Sequence, residues 1–256
     1  MASLVQTSAL GATETSNINV GLHAHTNYAS DTTPGNYLIA VCRGFADQPS
    51  SHGAFTMNAA PTGGGVTWTL AGQVLYAPDA GAGEFGEAVY YVANAPTVPA
   101  SSSVTVVITP GGGGSAGCVG YIVLYEFSGI GNGGVATSSS TIVSSGIPNG
   151  GSINPALAQC LIFTSCFEAV YGSNATTQSN GAGNTLGFQQ ANANPYVSAH
   201  VAFTDEYILS GSSGVQTQSF SATVSANTIG GTWAFSGSPV GGVAVPELSL
   251  LGVGTQ

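Results

Sequence analysis

The residues able to do chemistry are few and scattered. Glu84 and Glu87 lie three apart in EFGEAVYYVA, so in an extended strand they point to opposite faces. Glu126 and Glu168 each have aromatic neighbours (Tyr125, Phe127 and Phe167) and would meet only if their strands paired. Glycoside hydrolysis needs two carboxyls roughly 5 to 9.5 Å apart across a cleft. No array of acids two or four apart on one strand is present, and the competing reading makes these edge or solvent-facing acids. His23 and His25 share a face if their stretch is extended, and two imidazoles at that spacing can grip a metal. Asp31 and His52 are the candidates for a third ligand; the competing reading is exposed or hydrogen-bonded histidines. Asp205 and Glu206 with loop carbonyls would suit Ca²⁺. No Ser-His-Asp set with its serine on a nucleophile elbow is expected.

Other motifs are equally bland. Cys42, Cys118, Cys160 and Cys166 form no CxxC pair, which leaves zinc and thioredoxin-like chemistry without spacing support. Cys42, Cys160 and Cys166 sit in apolar runs, as small buried core residues do; four cysteines also allow three disulfide connectivities. Trp68, Tyr76, Tyr90, Tyr91 and Trp233 are candidates for sugar stacking, but the two tryptophans lie in alternating strands that suit a core. Gly63–Gly65, Gly111–Gly114 and Gly129–Gly134 read as turns, because no helix and no lysine follows to complete a phosphate cradle. Asn174-Ala175-Thr176 is a glycosylation sequon in form only. The expectation is therefore a chain with no catalytic residue, no metal and no cofactor.

The elements that must carry these residues are strands. No helical periodicity persists over a dozen residues, while short apolar or alternating runs bounded by Gly, Ser, Asn and Pro recur. Strands are predicted at Asn36–Gly44, Val66–Leu70, Phe85–Ala93, Ser102–Thr109, Cys118–Phe127, Ala158–Val170, Thr185–Gln189, Tyr196–Ser210, Gln218–Ser225 and Thr232–Ser236, with weaker signals at Asn17–Leu22 and Val240–Val245. Val104, Val106 and Ile108 alternate with hydroxyl-bearing neighbours, as do Phe220, Ala222 and Val224, which is the pattern of a sheet with one wet face. YLIAV, YIVLYEF and CLIF are apolar on both faces and belong at the centre. The fold class is all-β: an antiparallel β-sandwich of jelly-roll type. Residues 1–14 are expected as an N-terminal arm, 15–245 as the sandwich, and 246–256 as a C-terminal tail. Residues Gly129–Ile153 form the loosest stretch, and no exact internal repeat is visible.

Composition narrows the partners. Of 256 residues one is Lys or Arg (Arg43) and eleven are Asp or Glu, giving a formal net charge of -10. Charged residues total 5%, against about 25% in an ordinary domain. One cation cannot neutralise a phosphate backbone, so no nucleic acid is expected. No apolar run reaches the roughly 18 residues that cross a bilayer, so no membrane partner is expected. Met1-Ala2-Ser3-Leu4 lacks a basic region followed by an apolar stretch, so no secretory signal is expected. Sheet edges without lysine have nothing to block edge-to-edge pairing, which makes sense if other copies or a scaffold cover them. Leu4 and Val5 at one end, and Leu248, Leu250 and Leu251 at the other, are the candidate assembly residues; the competing reading is frayed termini.

The succession GNYLIAV, VTWTLAG, AVYYVANA, SSVTVVIT, GYIVLYEFSGI, LIFTSCF, DEY and TWAFSGSPVGGVAV resembles the Gly/Ser/Thr-rich jelly-roll β-sandwich modules of phage virion and bacterial surface proteins. The resemblance spans roughly residues 15–245, and its most particular piece is LYEFSGI (Leu124–Ile130), similar to the LEYSGV stretch of those modules. It implies a β-sandwich with an outward-facing structural or adhesive role and supplies no catalytic residues. This chain departs from such modules in its near absence of charge. The expected function is a non-enzymatic structural component of a phage particle, located on the virion. It would be a capsid decoration or cement protein contacting copies of itself and a major capsid or other virion protein. The alternative is a glycan-binding adhesin that takes surface glycans, and a secreted glycosidase stands third.

Overall fold

The computed structural model describes residues 2–15, 21–46, 57, 60–76, 84–109, 118–146, 149–155, 160–171, 178–179, 181, 183–196, 199–211, 216–222 and 226–235. Its strands are β1 (Ser3–Thr7), β2 (Gly11–Thr15), β3 (Leu22–Thr26), β4 (Tyr37–Ala46), β5 (Thr62–Gly63), β6 (Thr69–Tyr76), β7 (Glu84–Val92), β8 (Val104–Ile108), β9 (Cys118–Ser128), β10 (Val135–Gly146), β11 (Asn149–Ile153), β12 (Cys160–Tyr171), β13 (Gln178–Ser179), β14 (Thr185–Tyr196), β15 (Ala199–Gly211), β16 (Gln216–Ser219), β17 (Ser221–Ala222) and β18 (Ala226–Phe235). The described residues contain no helix, and the strand pairs are antiparallel throughout.

Two large sheets carry the fold. One runs β1-β9-β4-β7-β6, with β2 also paired to β9; the other runs β10-β18-β12-β15-β14. A small sheet, β3-β8-β5, covers the outer face of the first, and the short ladders β11-β16 and β13-β17 belong to the second half of the chain. Numbered within each half, with β2 left out and β16 and β17 taken as one strand interrupted at Phe220, the orders coincide. Each large sheet reads 1-8-3-6-5, and each smaller set pairs 2 with 7 and 4 with 7. The chain is thus two units of one topology, although no sequence repeat announces it.

The residues explain why the large sheets face each other. In β4, Tyr37, Ile39, Val41 and Phe45 point to the second large sheet, while Leu38, Ala40, Cys42 and Ala46 point to the small sheet. A strand apolar on both sides fits only between two layers. From the second unit, Leu161, Phe163, Phe167, Phe203, Trp233 and Phe235 enter the shared core. Phe85 meets Phe167 edge-on at 5.5 Å, Tyr121 meets Phe203 at 5.2 Å, and Phe127 meets Tyr207 at 5.2 Å. Such pairs contribute about 0.5–1.5 kcal/mol each beyond the area they bury. In β8, Val104, Val106 and Ile108 are buried and Thr105 and Val107 half-buried, as the alternation predicts.

Several elements differ from the sequence reading. Residues 1–14, expected as an arm, supply β1 and most of β2, both hydrogen-bonded to β9. Leu4 packs against the shared core from β1, while Val5 is exposed. Leu248, Leu250 and Leu251 lie outside the described residues. So do 240–245 and residues 17–20 of the signal at 17–22, whose last residue, Leu22, begins β3. The stretch 129–153 contains β10 and β11, because hydroxyl-bearing side chains tolerate an edge strand without forming an apolar row. The strand expected at Val66–Leu70 begins at Thr69 and runs to Tyr76. At Gly72, where β6 has a bulge, a Cβ would lie 2.6 Å from Nε1 of Trp233. Gly72→Ala is expected to lower unfolding free energy by about 1–3 kcal/mol through overpacking; denaturant titration checks this, and an unchanged midpoint contradicts the packing described.

Candidate functional site

The lone basic residue marks the centre of the molecule. Arg43 stands in β4 directly opposite Glu87 of β7, and Ser165 stands in β12 directly opposite Asp205 of β15. The two cross-strand pairs occupy matching places in the two large sheets and meet where those sheets pack. Arg43 Nε donates to Glu87 Oε2 at 2.8 Å, and Nη2 donates to Asp205 Oδ1 and to Ser165 Oγ. Ser165 Oγ also lies 2.5 Å from Glu87 Oε2 and 2.7 Å from Asp205 Oδ1. The Tyr125 hydroxyl donates to Asp205 Oδ2 at 2.5 Å, and the guanidinium sits 4.4 Å from the ring centre of Phe203. Arg43, Glu87, Ser165, Asp205 and Tyr125 are all 0% exposed.

Proton counting within this cluster decides its charge. Ser165 has one hydroxyl proton but touches two carboxyl groups and already accepts from Arg43. With a proton on Glu87, Glu87 can donate to Ser165 and Ser165 to Asp205, so each contact carries one hydrogen. Burial pushes the Glu87 carboxyl up to about 7, Arg43 opposes that, and Asp205 adds to it. Burial alone would lower the Arg43 guanidinium, but Asp205 and Glu87 outweigh it and hold the cation above its ordinary range. Burial and the adjacent Asp205 raise the Tyr125 phenol. A cation, an anion and a proton-holding acid give a near-neutral cluster, the form least costly to keep dry.

Four further acids are buried outside this cluster. Glu84, Glu126, Glu168 and Glu206 are each 0% exposed, which, with the buried Glu87, overturns the reading of Glu84, Glu87, Glu126 and Glu168 as edge or solvent-facing groups. Glu84 and Glu87 do face opposite sides. Glu126 and Glu168 belong to different large sheets, on faces turned away from each other, and do not meet. Glu126 Oε1 accepts from the Thr33 amide (2.8 Å) and Asn36 Nδ2 (2.6 Å), and Oε2 accepts from Gln6 Nε2 (2.6 Å), tying β1 and the loop before β4 to β9. Burial, then the nearby Glu126, pushes the Tyr28 phenol well up. Glu206 takes the Gly181 amide (2.7 Å) and Asn184 Nδ2 (2.5 Å); burial nevertheless raises it to about 7. Asp205 and Glu206, neighbours in β15, face opposite sides and share no ion site.

The remaining candidates stay apart. His23 and His25 are exposed on one face of β3, Asp31 Oδ1 accepts from the Ala100 amide, and His52 is outside the described residues. Among the described residues no three His, Cys, Asp or Glu side chains group to hold a metal. The four cysteines are buried and none forms a disulfide among the described residues. Trp68, Tyr90 and Trp233 are buried in the cores, and Tyr76 and Tyr91 are half-buried against them. Gly63, Gly64 and Gly65 all take positive φ in a turn, whereas Gly111–Gly114 and Asn174 are outside the described residues. The sequence did carry a signal for the central cluster, a single arginine inside the apolar run YLIAVCRGFA, but its partners lie 44 and 162 positions away.

Compared with known proteins, the chain matches no family model, no curated protein and no solved structure.

The buried acids have a pH signature. Glu87 and Glu206 titrate near 7 when folded and near 4.5 when unfolded, so the native state holds more protons in between. Stability is therefore greatest below about pH 4.5 as far as these two acids set it, and is lost as pH rises through about 7. Glu87→Gln, which mimics the protonated acid, is expected to match the parent near pH 5, exceed it at pH 8 and flatten the slope of melting temperature against pH. A parent whose melting temperature rises over pH 5–7.5 contradicts the assignment.

Proposed function

We propose that this protein is a non-enzymatic structural component of a particle surface, of virion decoration or cement type, held to its neighbours by uncharged contacts. The carrying observation is an inverted charge distribution. Arg43 is the chain's one Lys-or-Arg and is sealed inside, and six of the eleven acids (Glu84, Glu87, Glu126, Glu168, Asp205 and Glu206) are buried with it. The outside therefore carries no Lys or Arg and little fixed charge. Such a surface exerts weak long-range fields and depends on short-range contact. Edge strands such as β10, with Ser138, Ser140 and Ile142 outward, have no lysine to deter pairing with another chain. The groups with reactive potential in the central cluster are out of reach of a substrate, which supports a non-enzymatic role.

The strand pairing supports a finer reading of the fold, two jelly rolls in tandem. A jelly roll is a long hairpin of eight strands wound into two sheets, pairing 1 with 8, 2 with 7, 3 with 6 and 4 with 5. The first unit has the pairs β1·β9, β3·β8 and β4·β7, and the second β10·β18, β11·β16 and β12·β15. Only the fourth pair departs, since strand 5 of each unit (β6, β14) joins strand 6 instead.

Light scattering and electron microscopy of the purified chain test the role. The expected result is a discrete homo-oligomer or binding to a particle shell, weakened by deleting residues 246–256 without loss of melting temperature. A chain that stays monomeric at high concentration and binds no shell overturns the proposal.

A further inference from the structure

In β3, Leu22, Ala24 and Thr26 point inward while His23 and His25 point outward. Two positions along one strand separates the two Cα atoms by about 6.6 Å, so both imidazoles stand side by side and can reach one ion. The platform under them is firm. β3 is paired to β8 along its whole length, and Gly11 of β2 lies so close to the His25 carbonyl that a Cβ there would sit 2.2 Å from its oxygen. The cross-strand neighbours on β8 and β5 are short and uncharged: Val107 opposes His23, Thr105 opposes His25, and Thr62 opposes Thr105. Among the described residues neither ring has a hydrogen-bond partner, and no third His, Cys, Asp or Glu joins the pair.

Two imidazoles are half of what zinc takes in a closed tetrahedral site. We propose that His23 and His25 form a half-site for a divalent transition cation of the zinc type, completed by the same two histidines of a second copy docked face to face across a two-fold axis. Short Val and Thr side chains beside the histidines let two such faces approach, and the one Lys-or-Arg of each copy, Arg43, is buried away from the ion. A self-complementary contact of this kind closes on itself as a dimer. The inference goes beyond the particle role and does not need it, since it concerns a different face and a different bonding chemistry.

The test uses the full chain, stripped with EDTA and titrated with Zn²⁺ while heat and scattered-light mass are recorded. Expected are one zinc per two chains, a metal-dependent doubling of the starting mass reversed by EDTA, and an absorption-edge spectrum with four nitrogen ligands at about 2.0–2.1 Å. His23→Asn and His25→Asn should each weaken zinc binding at least about tenfold and abolish the doubling. Because both side chains are exposed, neither should change the metal-free melting temperature. One zinc per chain without doubling, or binding that survives the double variant, overturns the proposal. Metal-independent assembly leaves these readouts intact, so this test and that of the particle role can fail separately.

Discussion

A guanidinium cannot be buried alone, and that constraint organises this molecule. Stripping an ion of water costs several kcal/mol even after relaxation. At 4 Å an opposite charge returns about 4 kcal/mol at an effective dielectric near 20. Arg43 therefore needs more than one partner, and it draws Glu87 from its own unit and Asp205 and Ser165 from the other. The aromatic core supplies most of the cohesion between the two large sheets. The ionic cluster contributes less net stability than that core, but it is direction-dependent in a way that ring packing is not. Sliding one sheet by a residue would turn Asp205 or Ser165 away and leave a charge without an answer, so the cluster fixes how the units meet.

The same constraint shapes the exterior. With its cation and most of its acids inside, the chain turns hydroxyls, amides and glycines outward, the reverse of the usual arrangement in which charge sits in water. Long-range attraction and repulsion are then weak, and association depends on shape and hydrogen bonding at contact distance. Two copies of one topology face each other inside a single chain, and the proposed particle role would carry the same contact logic outward to neighbouring molecules.

Much of the framework was legible beforehand. Two-sided apolar strands such as YLIAV, YIVLYEF and CLIF became β4, β9 and β12, each sandwiched between layers, and the alternation over Val104–Ile108 became β8. What stayed hidden has physical causes. β10 is written TSSST, an edge strand whose alternation is between hydroxyls and leaves no apolar row to detect. β1 and β2 are short and make sense only once β9 offers them a ladder. The duplication is invisible because corresponding places carry different residues: Arg43 and Glu87 in one unit, Ser165 and Asp205 in the other. The acids were misplaced for a related reason. A carboxylate is ordinarily a surface group, and only a partner distant in the chain, such as Asn36 for Glu126 or Arg43 for Asp205, makes its burial affordable.

The most direct test of that central contact is a double-mutant cycle between Arg43 and Asp205, one residue from each unit, with unfolding free energies from denaturant titration of the parent, Arg43→Met, Asp205→Asn and the combined variant. Each single change should cost about 3–5 kcal/mol, because it strands a buried charge. The double variant should cost far less than their sum, giving a coupling above about 2 kcal/mol. Additive losses, with coupling below about 0.5 kcal/mol, would mean that the two sheets find each other without this cluster.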